Sequence, residues 1–538
     1  AFNPTDSFSV VVDFHADTVP VGSVDPQYIL LANVGDDSQR YFAQFRDCPG
    51  YQVYLRANAE TQRCNATLQY TRNVSTLRFG KEPSTKHNHH KPPLISSLYS
   101  WHARCFEEST SRDQEKGTFM KNLVILGAGT AGTTVANMLR KKLPSDWALK
   151  IIDPDTEHLF QPDLIFVPFE MQTPEKTIRP RKGTLGKGIE WIQRQVQQVD
   201  ADNNQVILDG DDKVSYDLLV IATGSHIRPE ETPGLLGDEW QKSIFDFYTL
   251  EGSVAMRDAL KTFEGGRVVV NTVEMPIKCP VAPLEITFLA ESFFTEKGIR
   301  DNVELIYVTP LDGAFTKPIA AKALGGILDD RGIKVEAEYN ASEVDVDRKV
   351  LLSYDEREVP FDMLITIPTH MGAQFIEDSG LGDDLAFIPT DRHSLIANNH
   401  DNIFVLGDAT DLPTSKAGSV AHFQAEVVVD NVLHLIKGES PKAVFDGHAN
   451  CFIESGYGRA MLIDFNYEQE PLPGVYPLPT VGPFPLLKES KFNHWGKLMF
   501  RHVYWHALLP GHPIPVPNQM SMVGKKRPPQ LAADAETA

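Results

Sequence analysis

From Met120 onward the chain alternates two hydrophobic patterns. KNLVILGAGTAGTTVANMLRKKL reads as an apolar strand of the fully buried kind, a glycine turn, and a helix with small residues on its early face. WALKIIDPD (147–155) is a second strand that ends in acid. Further strands are expected at 214–224 (VSYDLLVIATG), 265–273 (GGRVVVNTV), 302–310 (NVELIYVTP), 362–368 (DMLITIP) and 402–409 (NIFVLGDA). Helices are expected at 252–263, 283–298 and 419–438. Strands that alternate with helices pack as parallel sheets, so the expected fold class is α/β with Rossmann-like units.

Residues 1–119 lack that rhythm. FSVVVDF (8–14) alternates like a strand, whereas KEPSTKHNHHKPP (81–93) is polar and proline-containing and reads as loop or disorder. His87, His89 and His90 are metal-binding residue types, but no Cys or carboxylate stands at ligand spacing. A solvated loop is the better reading, and no metal site is expected. The tail beyond about residue 470 is proline-rich, with an aromatic and basic stretch at 494–509.

A length of 538 residues suggests about three or four domains. With 42% hydrophobic and 23% charged residues the chain is ordinary for a globular protein, which excludes a collagen-like, coiled-coil or wholly disordered one. The net charge of −21 argues against nucleic acid as a partner. Five cysteines are too few for a disulfide scaffold. No apolar run reaches the roughly 20 residues a spanning helix needs, and the opening AFNPTDSFSV lacks the basic region of a secretion signal. The first methionine is Met120, and residues 1–119 carry 12 basic and 13 acidic residues, so almost all the acidity lies beyond them. This segment is therefore expected to be dispensable, either an appended domain or a stretch the native protein lacks.

The turn LGAGTAGTT supplies Gly127, Gly129 and Gly132 in a G-x-G-x-x-G pattern between strand and helix. The first glycine permits the tight turn, the second lets backbone approach a pyrophosphate, and the third allows close helix–strand packing. Asp153 follows 21 residues after Gly132 at the end of the second strand, where an acid accepts ribose hydroxyls. The pattern therefore points to dinucleotide binding. After the strand at 265–273, where a second glycine turn would bind NAD(P)H, the chain reads EMPIKCPVAP, with Cys279 among prolines and no glycine. That domain is expected to keep its fold without tight NAD(P)H binding. A cysteine at a strand–helix turn suits thiolate chemistry, because the helix N-terminus and Lys278 favour the charged form. Cys451 lies 172 residues further on. For either cysteine alone, a small buried side chain is the better reading.

Two other segments carry a resemblance. Ala222-Thr223-Gly224 at the end of one strand, and Gly407-Asp408 at the end of another, resemble the two closing motifs of the two-dinucleotide-domain flavoproteins over about 120–435. In that family the Asp meets the ribityl chain and phosphates of FAD; alone, an Asp before a helix is also an ordinary N-cap. EMPIKCPVAP, GDATDLPTSKAGSVAHFQAE and NCFIESGYGRAMLIDFNYEQEPLPG narrow the resemblance to the sulfide:quinone oxidoreductases with two essential cysteines, from Met120 to about residue 510. In related flavoproteins the glycine turn lies near the N-terminus, which suits a start at Met120.

The resemblance implies FAD as cofactor, sulfide as substrate, and Cys279 and Cys451 as the redox pair. Electrons pass to a membrane quinone, and the cysteine pair leaves persulfide or polysulfide sulfur for an unidentified acceptor. It implies a monotopic, peripheral membrane protein, expected on the cytoplasmic side, and leaves the oligomeric state open, a homo-oligomer included. A third cysteine, essential in some relatives, has no counterpart at 120–278. Lys416 would stabilise anionic reduced flavin by its charge, or be a solvated lysine at a helix start. The tail segment 493–511, with Trp495, Phe500, Tyr504 and Trp505 beside Lys497 and Arg501, suits a headgroup boundary or a helix packed on the core. The domains implied are the N-terminal segment 1–119, an FAD domain of 120–240 with 360–440, a second Rossmann-like domain at 241–359, and a C-terminal membrane-contact region at 441–538. Alternatives are the flavoprotein subunit of a flavocytochrome c sulfide dehydrogenase, an alternative NADH:quinone dehydrogenase, and a non-enzymatic flavin-binding redox sensor.

Overall fold

A computed structural model of the chain describes residues 51–58, 63–70, 120–477 and 482–526. The chain divides into two compact units, Ala1–Glu115 and Lys116–Ala538. In the first, Tyr51–Asn58 and Arg63–Tyr70 pair as an antiparallel hairpin. The expected strand at 8–14 and the histidines at 87–90 lie outside the described residues.

The second unit is built on two parallel sheets. β1 (Lys121–Leu126) leads into α1 (Thr130–Leu139), followed by β2 (Trp147–Ile152), β3 (Glu190–Ile192) and β4 (Leu218–Ile221). The chain then crosses to β5 (Ile244–Phe245), α2 (Leu250–Thr262), β6 (Gly266–Thr272), α3 (Ala282–Glu296) and β7 (Val303–Val308). α4 (Pro318–Asp330), β8 (Lys334–Glu336) and β9 (Met363–Ile367) complete that half. β10 (Ile403–Val405) and α5 (Gly418–Ile436) return to the first. The first sheet has the order β10-β4-β1-β2-β3 and the second β5-β9-β6-β7-β8, all parallel.

Both sheets are sandwiched, which is why their strands read as unbroken apolar runs: Leu123 to Leu126 and Val268 to Val270 have no exposed surface. The strand at 363–367 belongs to the second sheet, where it pairs with β6. The chain therefore leaves that sheet after Ile367, later than the boundary at 359 drawn from the sequence. A third sheet joins β11 (Ala449–Glu454), β12 (Ala460–Phe465), β13 (Gly474–Tyr476) and β14 (Phe484–Leu486) in the order β11-β12-β14-β13.

α6 (Lys491–Val503) lies on this sheet and ends in a π turn, Tyr504–Leu508. Ser490 caps it by accepting from Asn493 N–H at 3.0 Å. A Cβ at Gly496 would lie 2.8 Å from the rings of Phe452 and Phe484, so this glycine admits the close approach of helix and sheet. Among the described residues, no helix is long and apolar enough to cross a membrane.

Candidate active site

The glycine turn sits where three parallel strands end. Gly127 has φ 88°, and a Cβ there would come 2.7 Å from Ala222 O; a Cβ on Gly132 would come 1.9 Å from Gly127 O. These two glycines are required by the protein's own packing. Gly129 differs, because a Cβ there would meet nothing within 4 Å. It faces open space at the N-terminus of α1, which has no capping side chain and no acid in its first turn. Free N–H donors in that position suit an anion.

Behind the turn, Asp153 accepts from Ala128 N–H at 2.6 Å and from Asp155 N–H at 2.9 Å, and pairs with Arg181 at 3.2 Å. A carboxylate has about four acceptor positions, so Asp153 has one left over while bracing the turn. Burial raises its pKa and Arg181 opposes the shift. Arg181, which sequence reasoning missed, is itself buried and donates to the carbonyls of Ala128, Asp155 and Glu157.

Ala222-Thr223-Gly224 follows β4 beside this turn, and Gly407-Asp408 follows β10, with φ 72° at Gly224 and 71° at Gly407. Asp408 lies on a 3-10 turn, Gly407–Ala409, and caps no helix through its side chain. Burial raises its pKa against the opposing charges of Lys416 and Lys278. Lys416 is not the solvated lysine that was one reading of it. It is buried, donates to Asp408 O at 2.9 Å and Thr410 O at 2.6 Å, and lies 3.8 Å over the Phe387 ring. Burial lowers its pKa to about 8. Thr223 Oγ1 and Gln424 Nε2 are buried without a partner. The open cradle at Gly129, the uncapped helix, and polar atoms awaiting partners all fit FAD.

Cys279 stands in the turn between β6 and α3 at φ 51°, a left-handed conformation costly for a side chain with a Cβ. Its N–H donates to Lys416 O at 2.6 Å, which fastens the cysteine turn to the Gly407-Asp408 segment. Cys451 is on β11, and both thiols are free. The two share one electrostatic environment. Cys451 acts on Cys279, and Glu285 and Lys497 act on both.

The expectation that Lys278 and the helix N-terminus hold Cys279 as a thiolate is reversed. Burial and then the Glu285 charge push its pKa far up, with Lys497 opposing. Cys451 is pushed to about 12 by the same causes. Lys278 is turned to Ser225 O at 3.2 Å.

Glu285 was missed by sequence reasoning, and Lys497 was read only as a basic neighbour of the tail's aromatic residues. Glu285 accepts from Glu454 N–H at 2.6 Å and from Lys497 Nζ, and Lys497 also donates to Phe452 O at 3.2 Å. The available signal was a pair of acids, Glu285 and Glu291, in the largely apolar run PLEITFLAESFF.

In the tail, packing on the core, one of its two readings, holds for part of the aromatic set. Tyr504 and Trp505 are buried with Phe160, Leu508 and Leu509, and Tyr504 Oη bonds Thr130 Oγ1 at 2.9 Å and His158 Nε2 at 2.5 Å. Lys497 and Arg501 are paired with acids and are not free for headgroups. The exposed apolar residues of α6 are instead Phe492, Trp495, Leu498, Met499 and Val503.

The fold is that of an FAD-dependent oxidoreductase, and residues 121–270 match the model of the pyridine nucleotide-disulphide oxidoreductases. More particularly, the chain is similar to the sulfide:quinone oxidoreductases over most of its length. It is 27% identical to the mitochondrial sulfide:quinone oxidoreductase of Mus musculus over 397 residues, 72% of this chain and 86% of that protein. The Dictyostelium discoideum counterpart is 26% identical, covering 75% of this chain and 89% of its own. The crystal structure of sulfide:quinone oxidoreductase from Aquifex aeolicus shares the fold with a TM-score of 0.62 at 20% identity, over 73% of this chain and 92% of that one.

Proposed function

We propose that this protein oxidises sulfide at Cys279 and Cys451 and delivers two electrons through FAD to a membrane quinone. The observation that carries this reading is the convergence of two sequence-distant cysteines on one buried charge pair, at a turn that lacks the glycines of an NAD(P)H site. FAD, when bound, supplies two-electron acceptance and passes the pair on to quinone.

The chain's own residues do the sulfur chemistry. In the oxidised protein Cys279 and Cys451 are joined as a disulfide. Hydrosulfide attacks one sulfur; a new S–S bond forms, the Cys–Cys bond breaks, and the departing cysteine keeps the electron pair as thiolate. The hydrosulfide proton passes to Glu285, a carboxylate whose pKa burial raises. A second sulfur nucleophile removes the outer persulfide sulfur and leaves that cysteine as thiolate. The two thiolates re-form the disulfide and give up two electrons, which FAD would accept. Lys416 would supply positive charge to the bound cofactor, and Asp153, Gly129, Thr223, Asp408 and Gln424 would hold it.

The quinone comes from a lipid surface that α6 contacts with its outward apolar face. The amphipathic helix and the absence of a spanning helix among the described residues support peripheral association.

The test is an anaerobic titration of the holoprotein with sulfide, then quinone, then NADH. Sulfide is expected to bleach the oxidised flavin, quinone to restore it, and NADH to leave it oxidised. Cys279→Ser and Cys451→Ser should each retain FAD and lose sulfide-driven quinone reduction by at least about a thousandfold, without additivity, since the pair acts as a unit. Near wild-type turnover in either variant refutes the pair mechanism. Rapid bleaching by NADH revives the NADH dehydrogenase reading.

A further inference from the structure

α6 is amphipathic in an unusual sense. His494, Lys497 and Arg501 recur at i, i+3 and i+7 and share one face. That face points inward. His494 Nδ1 meets Glu454 at 2.9 Å, Lys497 meets Glu285, and Arg501 meets Asp163 at 3.3 Å. The three acids come from β11, α3 and the segment Gln161–Phe166, and all three are buried. Phe492, Trp495, Met499 and Val503 occupy the opposite face and are exposed. The charged face is thus the seat of the helix.

The middle pair reaches the cysteines. The Glu285 side chain is 1% exposed and that of Lys497 12%. Glu285 lies in the first turn of the helix that follows Cys279, and the Glu454 N–H it binds is three residues beyond Cys451. The groups that face Cys279 are Glu285, Lys497, Cys451 and Asp408, with Lys278 and Tyr248 also in its field. Those that face Cys451 are Glu285, Lys497, Ser419 and Asp464. Among the described residues, Lys497 is the cation in the surroundings of both.

We infer that Lys497 is a positioning residue of the thiol chamber: α6 seats its ammonium against Glu285, and this pairing sets the charge that both cysteines face. A buried carboxylate left alone beside two thiols disfavours their ionisation; a buried ammonium left alone favours it. The helix that meets the lipid surface therefore also completes the sulfur chemistry. This inference rests on the reading that the two cysteines react as thiolates, but its test needs no turnover.

The holoprotein is reduced, and alkylation of Cys279 and Cys451 by iodoacetamide is followed separately by peptide mass spectrometry from pH 7 to 10. Lys497→Met should slow alkylation of both cysteines at pH 9 at least about fivefold, since a shift of one pKa unit approaches tenfold in thiolate fraction. Glu285→Gln should speed it, and the double variant should return towards wild type. Lys497→Arg should keep the wild-type profile. A role confined to stability predicts no such opposition of sign. Removing both charges together avoids a lone buried ion, so comparing the double variant with Glu285→Gln isolates Lys497 even where Lys497→Met does not accumulate. Profiles within twofold of each other in that comparison, or a shift of Lys497→Met in the same direction as Glu285→Gln, overturn the inference. Failure of sulfide to bleach the wild-type flavin would instead sink the functional reading and leave the alkylation result standing.

Discussion

Burial holds two cysteines and a histidine of this region in their uncharged forms. Cys279 and Cys451 rest as thiols because burial and Glu285 penalise the thiolate. Negative charge accumulates there only when bond exchange forces it, and Lys497 is then the cation at hand. His158 is the same case with the opposite sign. It is buried, bonded to Tyr504 Oη at 2.5 Å and close to Arg181, and burial followed by that charge lowers its pKa to about 4. A folded-state pKa below the unfolded value of 6.5 means that neutral histidine favours the fold. That contribution is complete above pH 6.5 and is lost as pH falls towards 4, which amounts to roughly 2 kcal/mol between pH 7 and 5. His370, lowered to about 3, adds in the same direction. Urea midpoints should therefore fall from pH 7 to pH 5, and His158→Gln should remove about half of that slope. An unchanged slope in the variant would show that His158 is not a neutral buried residue.

At the scale of elements, α6 shows what a hydrophobic pattern can and cannot reveal. The aromatic and basic stretch was legible as amphipathic. Which face turns inward was not, because periodicity gives two faces and no direction. Acids on β11, α3 and Gln161–Phe166 decide it, 40, 212 and 338 residues away in sequence from their basic partners. An outward face of Phe492, Trp495, Met499 and Val503, with the charges neutralised beneath it, suits an interfacial helix. Phe492→Glu with Trp495→Glu should weaken cosedimentation with phospholipid vesicles at least about tenfold, since each large apolar side chain is worth about 1.5–3 kcal/mol on burial. Sulfide should still bleach the flavin in detergent, because neither side chain reaches the thiol chamber. Unchanged vesicle binding would assign the face to something other than lipid.

For the whole molecule, the two parallel sheets were legible through their central strands, which are apolar runs buried on both sides, whereas the short or half-exposed strands β3, β5 and β8 carry no such run and were not seen. The glycine turn, the 222–224 and 407–408 turns and Cys279 stand at strand ends as their spacing implied. α4 was missed although Pro318 stands at its first turn, since Gly325 and Gly326 weaken the helical pattern. Arg181 and Glu285 were missed, and Lys497 was read only as a basic neighbour of the tail's aromatic residues, because a charged residue does not show in sequence which distant partner will bury it. All of these groups, together with the three sheets and α6, fall within Lys116–Ala538, which is one compact unit. A chain beginning at Met120 keeps β1 whole, because its first residue is Lys121. Such a chain is expected to fold, to bind FAD at the same content per molecule, and to reduce quinone with sulfide at the rate of the full chain. Flavin absorbance, thermal unfolding and anaerobic turnover of the two chains side by side check this. Insolubility or loss of FAD in the shorter chain would give residues 1–119 a part in the catalytic fold and reverse the expectation that they are dispensable.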